Sequence, residues 1–84
     1  MNLPTQCLQS LRRSVRELSA GMPVSALAAL MAAQSAYARY ALAGGFSVRT
    51  IRRLQACIRS VEDKVYPVID LRGRQPRKEN ADVG

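Results

Sequence analysis

Five aliphatic residues recur at alternating steps of three and four in the second half of the chain: Ile51, Leu54, Ile58, Val61 and Val65. These steps place all five side chains on one narrow stripe, because an α-helix completes a turn about every 3.6 residues. Ser47 is a natural N-cap for this helix, and Pro67 is expected to end it. The stripe predicts a long helix that packs along its length, either in the core or against a second copy.

Two further helices are predicted before it. The first runs from about Thr5 to Ser19, with Thr5 as its cap and Gly21 as its C-terminal stop. Its apolar stripe consists of Leu8, Leu11, Val15 and Leu18. The second begins at Pro23 and is rich in Ala, the best helix former. Its inward-facing residues are expected to be Leu27, Leu30 and Met31.

The second segment allows two interpretations. Ser35 can act as an N-cap after a bend at Gln34, which would divide the segment into two helices, Val24–Ala33 and Ala36–Ala43. Otherwise the segment forms one helix up to Ala43. The two possibilities lead to different architectures.

The C-terminal part of the chain is expected to leave the helical core. Pro67 disfavours a helical conformation at Tyr66, and residues 68–71 are predicted to form a short extended segment. Residues 72–84 contain Val83 as their one large hydrophobic residue and carry basic side chains, which predicts a flexible tail. We therefore predict an all-α fold of three to four helices, with one domain over residues 1–71 and a basic tail over residues 72–84.

The charge and residue types favour some function classes over others. Thirteen Lys and Arg against six Asp and Glu give a net charge of +7, which favours polyanionic partners such as nucleic acid. The chain has no His, and its two cysteines, Cys7 and Cys57, lack metal-site spacing, so no metal and no cofactor are expected. No pairing of a base with a nucleophile is recognisable, so we expect no enzymatic activity.

The sequence also bears on location. Its first residues show no signal-peptide pattern, and the longest stretch of low charge, from Leu18 to Ala38, is too polar to span a membrane. We therefore expect a cytoplasmic protein with no membrane partner. In that reducing compartment the two cysteines are expected to pack as small hydrophobic residues.

The residues around Gly44-Gly45 form the pattern with the clearest functional meaning. The stretch from Tyr37 to Leu54 resembles the helix-turn-helix of small bacterial, phage and plasmid repressors. Its landmarks are a small residue where two helices cross, a glycine with positive φ, an apolar residue in the corner and a capping residue: Ala41, Gly45, Phe46 and Ser47. The resemblance implies double-stranded DNA as the partner. Because so small a chain has no room for an effector domain, it implies a transcriptional regulator that represses by occlusion.

The same resemblance implies which residues contact DNA. Arginine reads guanine edges in the major groove and grips phosphates. The residues expected at the DNA surface are Ser47, Val48, Arg49, Thr50, Arg52 and Arg53, with Arg39 as a further contact. We expect a homodimer, because a chain this short buries only about 60% of its extended surface.

An alternative interpretation is a helical-hairpin dimer that inhibits or adapts another protein, or binds structured RNA. It requires one unbroken helix from Pro23 to Ala43, antiparallel to a second helix from Ser47 to Val65. The aliphatic stripe would then lie in the dimer core. A bend near Ser35 favours the repressor, and an unbroken helix favours the hairpin.

Overall fold

The computed structural model describes residues 2–70 in full and contains three α-helices. They are α1 (Leu3–Ser19), α2 (Pro23–Leu42) and α3 (Val48–Val83). Short connections make α1 antiparallel to α2 and α2 antiparallel to α3, so α1 and α3 run in the same direction. No strand occurs in the part of the chain that the structure describes, which confirms the predicted all-α class. The tail predicted over residues 72–84 lies outside the fully described residues.

The first helix begins earlier than predicted, because Asn2 rather than Thr5 is its N-cap. The side-chain oxygen of Asn2 accepts a hydrogen bond from the backbone N–H of Thr5 at 2.8 Å. Asparagine ranks above threonine as an N-cap residue. Pro4 then lies within the first helical turn, where the N–H that it lacks has no partner in the helix.

The turn between α1 and α2 confirms the predicted stop at Gly21, which has a φ of 78°. Its N–H donates to the carbonyl oxygen of Leu18 at 3.0 Å, and the N–H of Met22 donates to that of Glu17 at 2.9 Å. These two bonds satisfy carbonyl groups that the end of a helix otherwise leaves unpaired. Only glycine adopts this left-handed conformation without strain, so the turn is short and well defined.

Small side chains allow α1 and α2 to pack closely against each other. Cys7 of α1 and Ala26 and Ala33 of α2 are fully buried. Ser14 is buried as well, and its hydroxyl donates to the carbonyl oxygen of Ala26 at 2.7 Å. The hydroxyl is therefore paired, and burying it carries no cost of an unsatisfied polar group.

The predicted inward face of α2 is only partly right. Leu30 is fully buried and Leu27 packs against the core, as expected. Met31 is 58% exposed, so its predicted inward orientation is wrong. It follows Leu30 directly and is rotated from it by about 100° around the helix. The face beside Leu30 is instead filled by alanines one turn away.

No bend divides α2, and Ser35 lies exposed in the middle of the helix. Ala33 and Ala36, on either side of it, are both buried against the same core. A bend at Ser35 would rotate one of these alanines out of contact, so packing favours a continuous helix. The unbroken helix is the geometry expected for the helical-hairpin alternative, not for a compact helix-turn-helix unit.

Side-chain hydrogen bonds join α2 and α3 along the hairpin. Gln55 Nε2 donates to the hydroxyl of Tyr37 at 2.7 Å. Gln34 Nε2 donates to Glu62 Oε2 at 2.7 Å, farther from the turn. With increasing distance from the turn, the bonded residue on α2 has a lower number and the bonded residue on α3 has a higher number. This is the pairing of two antiparallel helices.

The predicted aliphatic stripe of α3 lies in the core of a single chain. Four of its residues are at most 8% exposed, namely Leu54, Ile58, Val61 and Val65, whereas Ile51 is half-buried. They share one cluster with Leu11 of α1 and Leu30 of α2. The stripe therefore needs no second copy to bury it. The homodimer stays a prediction, but the aliphatic stripe no longer supports it.

The predicted helix end at Pro67 is wrong, and so is the extended segment after it, because residues 68–70 continue α3. Pro67 removes one backbone N–H and is exposed. Ile69 lies one turn beyond Val65 and packs against the same core cluster. The burial of Ile69 offsets the free energy lost with the hydrogen bond that proline removes, so the helix continues.

Candidate nucleic-acid interface

The turn before α3 is held by side chains from both helices. Ser47 Oγ accepts from the N–H of Thr50 at 3.4 Å, which confirms Ser47 as the predicted N-cap. The N–H of Ser47 donates to the hydroxyl of Tyr40 at 3.0 Å. Gly45 has the predicted positive φ, at 67°. Phe46 is 43% exposed rather than enclosed in the corner, and its ring stands edge-on to Tyr40 with centroids 6.5 Å apart.

Four exposed arginines follow this turn along α3: Arg49, Arg52, Arg53 and Arg59. At about 100° per residue, they lie on the side of the helix away from the buried stripe. We call these four residues the outer arginine face. Its first and last members are ten residues apart in sequence, and a rise of about 1.5 Å per residue makes the face about 15 Å long.

Arg59 lies outside the predicted site, because that prediction covers only the helix-turn-helix stretch up to Leu54. The signal that identifies it is helical periodicity. Arg59 follows Arg52 by seven residues, or nearly two complete turns, so both side chains lie on the same side of α3. The structure therefore extends the predicted basic surface by one further turn.

Up to Val61, all the charged residues of α3 are cations. No Asp or Glu occurs between Leu18 and Val61. The first acidic residue beyond the face, Glu62, accepts a hydrogen bond from Gln34 and is thereby held toward α2. Gln34 also donates to the hydroxyl of Tyr66 at 3.0 Å. Asp63 is exposed four residues after Arg59 and lines a depression together with Arg52 and Arg59, so the C-terminal end of the outer arginine face has acidic neighbours.

The other residues predicted to contact DNA occupy different places. Ser47 and Val48 are exposed at the start of α3, with Val48 59% exposed, and Thr50 is half-buried beside them. Arg39 is exposed on α2 but borders a depression that Gln9 of α1 also lines. The structure therefore brings Arg49, Arg52 and Arg53 to one side of α3, leaves Ser47, Val48 and Thr50 around its first turn, and places Arg39 on α2.

No family model matches this sequence, and no curated protein or solved structure is significantly similar to it. The function is therefore inferred from the chemistry of the surface. Among the residues with described side chains, no group of His, Cys, Asp and Glu could hold a metal ion. Within the same residues, no helix combines the length and the apolarity needed to cross a bilayer.

A second basic surface lies on α1. Arg12, Arg13 and Arg16 are exposed and line a shallow depression with Gln9. Glu17 directly follows Arg16, so this surface includes an acidic neighbour. The outer arginine face carries one more cation than this surface, four against three, and it also has acidic neighbours, Glu62 and Asp63.

The two cysteines differ in their access to solvent. Both are free, with Cys7 buried in the core and Cys57 half-buried on α3. Burial raises the pKa of the Cys7 thiol to about 11, and the neighbouring Cys57 adds to the increase. The thiolate is the nucleophilic form of cysteine, and burial suppresses it at Cys7.

The outer arginine face matches the chemistry of a phosphate backbone. Each guanidinium group presents several N–H donors in a planar fork that fits phosphate oxygens or a guanine edge. An α-helix fits into the major groove of B-DNA, which is about 12 Å wide. The N-terminal turn of α3, capped by Ser47, presents backbone N–H groups that favour anions.

Proposed function

We propose that this protein binds double-stranded DNA by laying the outer arginine face of α3 in the major groove. The observation that carries the proposal is the set of four exposed arginines on one face, in a region that has no acidic residue between Leu18 and Val61. Phosphate neutralisation supplies most of the affinity for DNA that does not depend on sequence. Arg49 and Arg53, one turn apart, are the residues proposed to read base edges.

The helical presentation of these arginines favours DNA over duplex RNA. The major groove of A-form RNA is too deep and narrow for side chains to read, whereas that of B-DNA admits a whole helix. More specifically, we propose that the protein is a small transcriptional regulator in the cytoplasm and that it acts by occluding its site on DNA. A homodimer, bound to two half-sites, remains part of this proposal.

The unbroken α2 favours the alternative architecture, a helical hairpin that binds a protein partner. DNA binding by α3 does not depend on a bend in α2, because the outer arginine face lies on the side of α3 away from the core. The proposal therefore keeps DNA as the partner and gives up the compact helix-turn-helix geometry. A protein partner is the second candidate.

A salt-dependent titration tests the proposal. With fluorescent duplex DNA, a complex that neutralises about six phosphates predicts a slope near −5 for log K against log salt concentration. Duplex RNA of matched length is expected to bind more weakly. Absence of duplex DNA binding at low ionic strength would overturn the proposal and leave the protein-partner alternative.

A pair of matched variants separates the outer arginine face from general basic charge. One variant replaces Arg49, Arg52 and Arg53 with Ala, and the control replaces Arg12, Arg13 and Arg16 with Ala. Both lose three positive charges, so the change in net charge is the same. Only the first is expected to flatten the salt slope strongly. Equal losses in the two variants would contradict a specific role for α3.

A further inference from the structure

A groove of about 620 Å³ runs between α1 and α3, whose two helices point in the same direction. Its floor includes Leu8 and Val15 of α1 and Cys57 of α3, all of them half-buried. These side chains already pack against the core and still present apolar surface to solvent. A groove of this kind has room for additional apolar contacts along both helices.

All the charged residues that line this groove are cations. Arg12 on α1 and Arg53 and Lys64 on α3 are exposed along its rim. None of the ten residues that line it is acidic. Arg53 and Lys64 are eleven residues apart, about 16 Å along the helix, so the positive rim follows the length of the groove.

We propose that this groove docks an acidic amphipathic helix of a partner protein. An apolar stripe on that helix would cover Leu8, Val15 and Cys57, and carboxylates on its flanks would meet the three cations. Two packed helices present parallel ridges that a third can enter, with helix axes about 8–10 Å apart. The docked helix would complete a bundle of four with α1, α2 and α3.

A second copy of the chain does not fit the groove about a two-fold axis. Such an interface uses the same patch on both subunits. Arg12, Arg53 and Lys64 of one copy would then approach the same three cations of the other. Like charges at close range oppose association, whereas an acidic partner makes favourable contacts at all three positions.

The inference is independent of DNA binding, because Arg12 and Lys64 lie outside the outer arginine face. Arg53 belongs to both surfaces and is therefore left unchanged in the test. Failure of DNA binding and failure of helix docking can then be observed separately in the same variants.

Two synthetic peptides serve as probes. Both are amphipathic helices of about five turns with the same leucine stripe. One carries Glu on both flanks of the stripe, and the other carries Lys at the same positions. The full chain is expected to bind the Glu peptide and to bind the Lys peptide at least about tenfold more weakly, measured by fluorescence anisotropy.

Charge reversal on the protein provides the decisive comparison. The variant Arg12→Glu with Lys64→Glu is expected to lose about tenfold in affinity for the Glu peptide and to gain affinity for the Lys peptide. The control, Arg13→Glu with Arg16→Glu, makes the same change in net charge at exposed positions that lie outside both the groove and the outer arginine face. It is expected to keep the preference for the Glu peptide. Circular dichroism checks that both variants remain helical.

Several results would overturn the proposal. Equal binding of the two peptides would mean that the groove is merely apolar, and equal losses in the two variants would mean that only net charge matters. Loss of duplex DNA binding in the groove variant alone, with peptide binding unchanged, would assign the groove to nucleic acid. A dimer that dissociates when Ala56→Trp fills the groove would assign it to a second copy.

Discussion

The inner and outer faces of α3 differ in almost every property, although they belong to the same helix. The inner face buries Leu54, Val61 and Val65 to 6% exposure or less. The outer face carries the exposed arginines from Arg49 to Arg59 and, one turn beyond Arg59, the exposed carboxylate of Asp63. The inner face holds the three helices together, whereas nothing in residues 2–70 covers the outer face.

This difference separates stability from function within one element. Apolar burial contributes about 25 cal/mol for each Å² removed from water, so the inner face stabilises the fold. Exposed charges contribute little to the stability of a folded chain, and positive charges in the same region repel one another. Four clustered arginines are therefore explained better by a polyanionic partner than by the fold.

The largest expected effect is on the inner face. Leu54→Ala removes a buried side chain and leaves a cavity, which is expected to lower the free energy of unfolding by about 2–5 kcal/mol. Arg52→Ala, on the outer face of the same turn, is expected to change it by less than about 0.5 kcal/mol. Urea unfolding, monitored by circular dichroism, measures the free energy of unfolding of both variants. Similar losses in the two variants would contradict the division of α3 into two faces.

A smaller effect is expected on DNA selectivity. Arg49→Ala is expected to weaken binding to a site selected from random duplexes by about 1–3 kcal/mol, with little change in non-specific binding. The physical reason is that base-edge contacts carry specificity, whereas phosphate contacts carry general affinity. Competition titrations with selected and scrambled duplexes measure the specific and the non-specific affinity. Unchanged selectivity in both Arg49→Ala and Arg53→Ala would place the reading surface elsewhere.

The smallest expected effect is a difference in reactivity between the two cysteines. It tests the boundary between the two faces and leaves the stability of the fold unchanged. Cys57 is half-buried at that boundary, and Cys7 is enclosed in the core with its pKa raised to about 11. Iodoacetamide at pH near 8 is therefore expected to modify Cys57 first and Cys7 only after unfolding in urea. Mass spectrometry locates the modified residue. Rapid modification of Cys7 in a Cys57→Ser variant would show that the core is open.

The features predicted correctly from the sequence are those fixed by local chemistry. The aliphatic stripe, the left-handed Gly21 and the cap at Ser47 each depend on residues within one or two turns. None of these features depends on contacts with a neighbouring helix.

The errors arose where packing decided between locally similar choices. Ser35 is a good cap residue, but the burial of Ala33 and Ala36 keeps α2 continuous. Pro67 is a strong helix breaker, but Ile69 gains core contact when α3 continues past it. Propensity alone gives these long-range contacts no weight, and tertiary packing overrode it at both positions.

The most direct test of the central claim is to map which residues of the protein contact duplex DNA. Amide chemical-shift changes in NMR spectra, recorded as a short duplex is added, identify the contact surface residue by residue. We predict the largest changes from Ser47 to Arg59 along the outer arginine face, with small changes at Arg12, Arg13 and Arg16. Changes concentrated on α1, with α3 unaffected, would contradict it.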